Sequence, residues 1–134
     1  MIPDKIPLPD QQEDVCKLQT KWLISPELAQ RLAALAKELP YPVQIISGWR
    51  SSETQSSLLA QADSMAAADD RSTHRSCPAT GADIWLPTVT AVPAVKAAVG
   101  AAAMRVGLRW GGGSPVDSAG IPKDWNHVDL GPRR

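Results

Sequence analysis

The stretch "SPELAQRLAALAKELPYPVQIISGWR", residues 25–50, sets the limits on what this chain can fold into. Ser25 can cap a helix, Pro26 suits a first helical position that needs no amide hydrogen, Glu27 complements the helix dipole, and Pro40 ends the helix. Leu28, Leu32, Leu35 and Leu39 then fall on one face. Directly behind comes a short strand carrying Val43, Ile45 and Ile46, stopped by Gly48, with Trp49 and Arg50 projected just past its end. A bounded amphipathic helix that leads at once into a strand calls for helices packed on a sheet.

The remaining segments continue that pattern. "SSETQSSLLAQADSMAAADD" is expected to form a second helix, capped by Ser51 or Ser52, with Leu58, Leu59, Ala62 and Met65 on its apolar face. "GADIWLP" is expected to be a strand stopped by Pro87, and "AVPAVKAAVGAAAMRVG" a third helix ending at Gly107, although Gly100 in its middle is unfavourable there. "LRW" predicts a brief strand, "GGGSPVDSAGIPK" a flexible loop, and "WNHVDL" a last strand. Residues 1–21, polar and punctuated by proline, predict an extended N-terminal arm, and residues 22–134 a single domain. The expected class is α+β: a small, mostly antiparallel sheet with helices packed on it.

With 134 residues the chain can bury one sizeable core but hardly two. Fourteen Lys and Arg balance fourteen Asp and Glu, so no overall field favours nucleic acid or an anionic membrane. No apolar run approaches the length of a membrane span, which argues against membrane insertion. The start "MIPDKIPLPDQQEDV" has no basic, apolar and small-residue leader, so the expectation is a protein made in a cytoplasm without a signal peptide. Cys16 and Cys77 are too few to frame a disulfide fold and are expected to be reduced.

The chain has only two histidines, and both stand beside acidic residues, in "STHRSCPATGADIW" and "KDWNHVDLG". Side chains alternate faces along a strand, so His127 and Asp129 share one face of the last strand, and Asp83 shares its face with Trp85 on an earlier one. If those strands are neighbours, His127 and Asp83 converge, and the loop before Asp83 can bring in His74. Two imidazoles and a carboxylate suffice to hold a zinc ion with one position left open. Spacing alone equally allows two separate hydrogen-bonded histidines, because it lacks the specificity of an H-E-x-x-H helix. The acidic "ADDRS" segment reads as a solvated helix end before it reads as a calcium site.

"SGWRSSETQSSLL", "STHRSCPATGADIW" and "DWNHVDLG" together resemble, in order, the signatures of the D-Ala-D-Ala carboxypeptidase and L-alanyl-D-glutamate endopeptidase zinc metallopeptidases, of phage or prophage type. The wider group includes lysostaphin-type enzymes and the hedgehog signalling domain. The resemblance spans about residues 25–131 and implies the same fold, with a zinc site on the sheet. It implies Zn2+ as cofactor, held by His74, Asp83 and His127, and Asp124 as the catalytic carboxylate that takes a proton from the attacking water and passes it to the leaving amine. Arg50 matches an arginine that faces the substrate and stabilises the oxyanion. Ser72 and Gln55 match supporting positions near the substrate. The implied substrate and partner is the peptidoglycan stem peptide, cut by a monomeric lysis enzyme that reaches the wall after release from a host cytoplasm.

The chain also departs from that pattern. Arg75 to Ala82 makes eight residues between His74 and Asp83, where the family has six, so an insertion of about two residues is expected to bulge at Pro78 and leave the register of Asp83 intact. Cys77 within it is a candidate extra thiolate ligand, though a fourth protein ligand would close the position that water needs. The ending "HVDLGPRR" resembles carboxypeptidase-like members, whereas Asp rather than Glu at position 124 resembles the endopeptidases. A non-catalytic zinc or peptidoglycan-binding module of the same fold is the alternative.

Overall fold

The computed structural model describes residues 19, 21–50 and 72–131. The helix expected over 51–70, Gln55, Cys16 and nearly all of the N-terminal arm lie outside the described residues. Helix α1 spans Pro26–Glu38. Its ends are those the sequence dictates: the Ser25 hydroxyl accepts from the Leu28 amide at 3.1 Å, Pro26 opens the helix, and Leu39, before Pro40, turns extended. Leu28, Leu32 and Leu35 are fully buried.

Strand β1, Gln44–Ser47, pairs antiparallel with β2, Gly81–Trp85, and β2 pairs with β4, His127–Asp129. A two-residue strand, β3 (Arg109–Trp110), pairs with the other side of β4, giving the antiparallel order β1-β2-β4-β3. The described residues are therefore α+β, with every strand pair antiparallel. Ile45, Ala82, Ile84 and Val128 join α1 and helix α2, Pro93–Arg105, in one apolar core. Alternation along the strands turns Asp83 and His127 away from that core onto the opposite face.

Gly100 lies in the middle of α2, where helix propensity alone disfavours it, and tertiary packing explains its presence. A Cβ there would overlap the Trp110 ring, whose indole nitrogen donates to the Trp125 carbonyl at 2.7 Å. Gly107 ends α2 in the left-handed region, at φ +79°, as the sequence suggests. Gly100→Ala is expected to destabilise the protein by roughly 1–2 kcal/mol in urea unfolding, because overpacking outweighs the gain in helix propensity. A more stable variant would show that the ring gives way freely.

The segment expected to be a flexible loop carries a turn, a bridge and a side-chain bond. Gly111–Gly113 makes a tight turn closed by the Ser114 amide on the Gly111 carbonyl at 3.0 Å, Val116 bridges Pro122, and the Ser114 hydroxyl accepts from the Asp124 amide at 3.1 Å. The glycines permit the tight positive-φ path; Gly112, at φ +58°, lets backbone pass against the His127 ring, where a Cβ would stand 2.8 Å from Cδ2.

Candidate metal centre

The register of the sheet assembles the site. Asp83 is the direct cross-strand partner of His127 on one side and of Ser47 on the other, so its carboxylate stands between β1 and β4. His74 arrives from the turn before β2. That turn is built by the Ser72 hydroxyl, which accepts from the His74 amide at 3.2 Å, and by the Thr80 amide, which donates to the Thr73 carbonyl at 3.0 Å. The extra residues bulge outward past a cis Cys77–Pro78 bond, and Ala79 pairs with the chain at residues 23–25. Asp83 keeps its place opposite His127. Cys77 is exposed and does not join the histidines.

His74, Asp83 and His127 thus come together as a group that could hold a metal ion. His74 Nε2 lies 3.2 Å from His127 Nδ1 and 3.4 Å from Asp83 Oδ1, and His127 Nδ1 lies 3.0 Å from the same oxygen. Ligand atoms at three corners of a tetrahedron with bonds of 2.0–2.1 Å are about 3.3 Å apart, so the triangle has the right size for a first-row divalent ion.

The outer nitrogens of both rings are spoken for. His74 Nδ1–H donates to the Gly48 carbonyl at 2.6 Å, which leaves the Nε2 lone pair facing the triangle. His127 Nε2–H donates to Asp129 Oδ2 at 2.8 Å, which turns Nδ1 inward. The sequence offered the spacing of His127 and Asp129 but no role for the carboxylate, and a carbonyl acceptor such as Gly48 leaves no trace in side-chain identity.

Electrostatics describe the metal-free state. Burial pushes the Asp83 carboxyl up, but hydrogen bonds from His127 and His74, reinforced by their charges, hold it far below the usual carboxylate range. Burial pulls His127 down, yet its bonds to Asp129 and Asp83 raise it to about 9. At neutral pH His127 is therefore an imidazolium whose Nδ1 proton points at Asp83 and at His74 Nε2, within the triangle itself.

Asp124, just before β4, stands beside this group. Burial and then the Asp83 charge push its carboxyl up to about 6, against the pull of His127, His74 and Arg50. Its carbonyl accepts from the His127 amide at 3.0 Å, which ties it to the strand that carries the ligand. Arg50 sits at the mouth of β1: Nη2 bonds Asp83 Oδ2, Nε donates to the Ser47 hydroxyl at 3.1 Å, and its amide donates to the His74 carbonyl. Ser72 is buried in the His74 turn. Beside Arg50 opens a groove of about 450 Å³, walled by Trp22, Leu23, Ile46 and Trp49 and flanked by Lys21.

The fold that carries this site is also found in a solved structure. It is similar to the crystal structure of the Serratia marcescens L-Ala D-Glu endopeptidase ChiX, with a TM-score of 0.62 over 92% of this chain and 88% of that one, at 16% identity. Comparison of the sequence with family models and with curated proteins gives no match.

Proposed function

We propose that this protein is a zinc-dependent peptidase that hydrolyses a peptide bond of the peptidoglycan stem, and that the bond is the one between L-alanine and D-glutamate. The observation that carries the reading is the His74, Asp83 and His127 triangle, sized for a tetrahedral ion and with both imidazoles turned inward by fixed acceptors. Similarity in fold to an L-Ala D-Glu endopeptidase supports the choice of bond over D-Ala-D-Ala. The sequence resemblance extends the proposal to a phage-type lysis enzyme, the wall being its target after release.

Held by His74, Asp83 and His127, zinc would supply Lewis acidity towards the scissile carbonyl and towards water. The chain's own residues do the rest. Asp124, raised towards neutrality, is suited to accept the proton of the attacking water at its carboxylate and to deliver it to the leaving amine. Arg50, held by Ser47 and Asp83, keeps a fixed positive charge at the edge of the triangle, suited to stabilising negative charge that develops there. The groove beside it has the volume of a small peptide site, and its indole walls and Lys21 suit an extended stem peptide with free carboxylates.

The decisive experiment incubates the zinc-loaded protein with purified peptidoglycan, with and without a chelator, and identifies new ends by mass spectrometry. Chelator-sensitive L-alanine ends support the reading, and D-alanine release would redirect it to the carboxypeptidase. No new ends from protein holding one zinc would instead leave a binding module. Arg50→Lys, which keeps the charge but loses the planar fork, is expected to lower kcat by about 10²-fold on a soluble stem peptide. An unchanged kcat would remove Arg50 from the chemistry.

A further inference from the structure

We propose that Asp129, anchored by Arg109, is the positioning residue that fixes the orientation and proton of His127 for metal binding. The proposal rests on the reading of the triangle as a metal site, but asks what makes the third ligand competent.

An imidazole on a strand has a soft torsion about its Cβ–Cγ bond, and either nitrogen can carry the proton of the neutral ring. Unless both are fixed, the ligand nitrogen faces the triangle only part of the time. His127 is fixed on every side. Asp129 Oδ2 takes Nε2–H at 2.8 Å, and Thr73 Oγ1 approaches the same nitrogen at 3.3 Å. The shorter bond, to a charged acceptor, is the stronger and decides the tautomer. Two glycines let backbone close on the ring: a Cβ on Gly81 would stand 3.0 Å from Cε1, and one on Gly112 2.8 Å from Cδ2.

Asp129 would be a poor anchor if it could move, and it cannot. It is fully buried, and Arg109 grips both its oxygens, Nε on Oδ1 and Nη2 on Oδ2, each at 2.8 Å. The Gly131 amide adds a third donor to Oδ1 at 2.8 Å. Arg109 and Asp129 are direct partners across β3 and β4, so the shortest strand of the sheet has the function of delivering this guanidinium. The result is a line from Arg109 through Asp129 and His127 to the metal position, in which each link sets the direction of the next. Carboxylates behind a histidine ligand act in this way at metal sites generally, and their loss costs about 10–100-fold in metal affinity.

The test measures zinc affinity by competition with a chromophoric chelator for the wild type, Asp129→Asn and Arg109→Lys, compared on the high-pH plateau where His127 has no proton to displace. The amide of Asp129→Asn retains the shape but neither the charge nor the two-point grip, and affinity is expected to fall about 10–100-fold. Arg109→Lys, the milder change, should fall less in the same direction and serves if Asp129→Asn does not fold. Leu35→Ala, which weakens the core beneath helix α1 on the other face of the sheet, should bind zinc like the wild type, which separates positioning from stability. In zinc-loaded wild type, nitrogen NMR should find the His127 proton on Nε2, and in the variant that resonance should broaden or move. Wild-type affinity in a folded Asp129→Asn or Arg109→Lys protein would overturn the proposal. Absence of zinc binding by the wild type would instead overturn the metal reading, and zinc bound without hydrolysis only the peptidase reading.

Discussion

An Asp124→Ala protein that still takes up one zinc ion but no longer releases peptide ends from peptidoglycan is the expected result of removing the carboxylate beside the triangle. Asp124 contributes no atom to the His74, Asp83 and His127 group, so the ion has its three ligands without it. What is lost is the acceptor for the proton of water. General base catalysis contributes about 10²–10⁴-fold, and the fall in kcat should lie in that range. In the zinc-loaded wild type the acid side of the pH profile should bend at or below about 6, the value to which burial and Asp83 raise this carboxyl, because only the ionised form accepts a proton and a bound dication can only lower the value. Undiminished lysis by Asp124→Ala, with zinc bound, would take the residue out of the mechanism.

Zinc affinity should climb steeply with pH. In the metal-free protein His127 is raised to about 9, and the proton responsible lies on the nitrogen that has to bind the ion. Below that pH the ion must displace one proton, which costs about tenfold in apparent affinity for each unit of pH. Between pH 6 and pH 9 competition titration should thus show a gain of about 10³-fold, then a plateau. The stability of the metal-free protein should move the other way. A histidine whose folded value lies above its ordinary 6.5 contributes stability fully below pH 6.5 and loses it as pH rises through about 9. Thermal unfolding with chelator present should show Tm falling over that window, and excess zinc should reverse the trend. A flat affinity profile would mean that His127 is neutral before metal arrives.

The parts of this site that could be read in advance are those set by alternation and by local signals. Ser25, Pro26 and Pro40 mark helix α1 because caps and prolines act within a few residues. His127 and Asp83 meet because an antiparallel pair places residues of matching parity opposite one another, so the only missing fact was that β2 and β4 are neighbours. The parts that could not be read depend on distant or backbone partners. Nothing local to Arg109 points to Asp129, nothing near Gly48 announces a carbonyl for His74, and Gly100 looks like a flaw in a helix until Trp110 is seen against it. The glycine-rich loop reads as free because its residues permit many conformations; a tight positive-φ turn and the bond from the Asp124 amide to Ser114 select one.

The sheet order carries a consequence for biosynthesis. Strand β4 lies between β2 and β3, yet it follows both in the chain. A nascent polypeptide still lacking residue 127 can pair β1 with β2 but leaves β3 without its neighbour, His74 and Asp83 without their third companion, and Arg109 without the carboxylate it grips. Assembly of the His74, Asp83 and His127 group and closure of the sheet therefore both wait for the segment that carries residue 127.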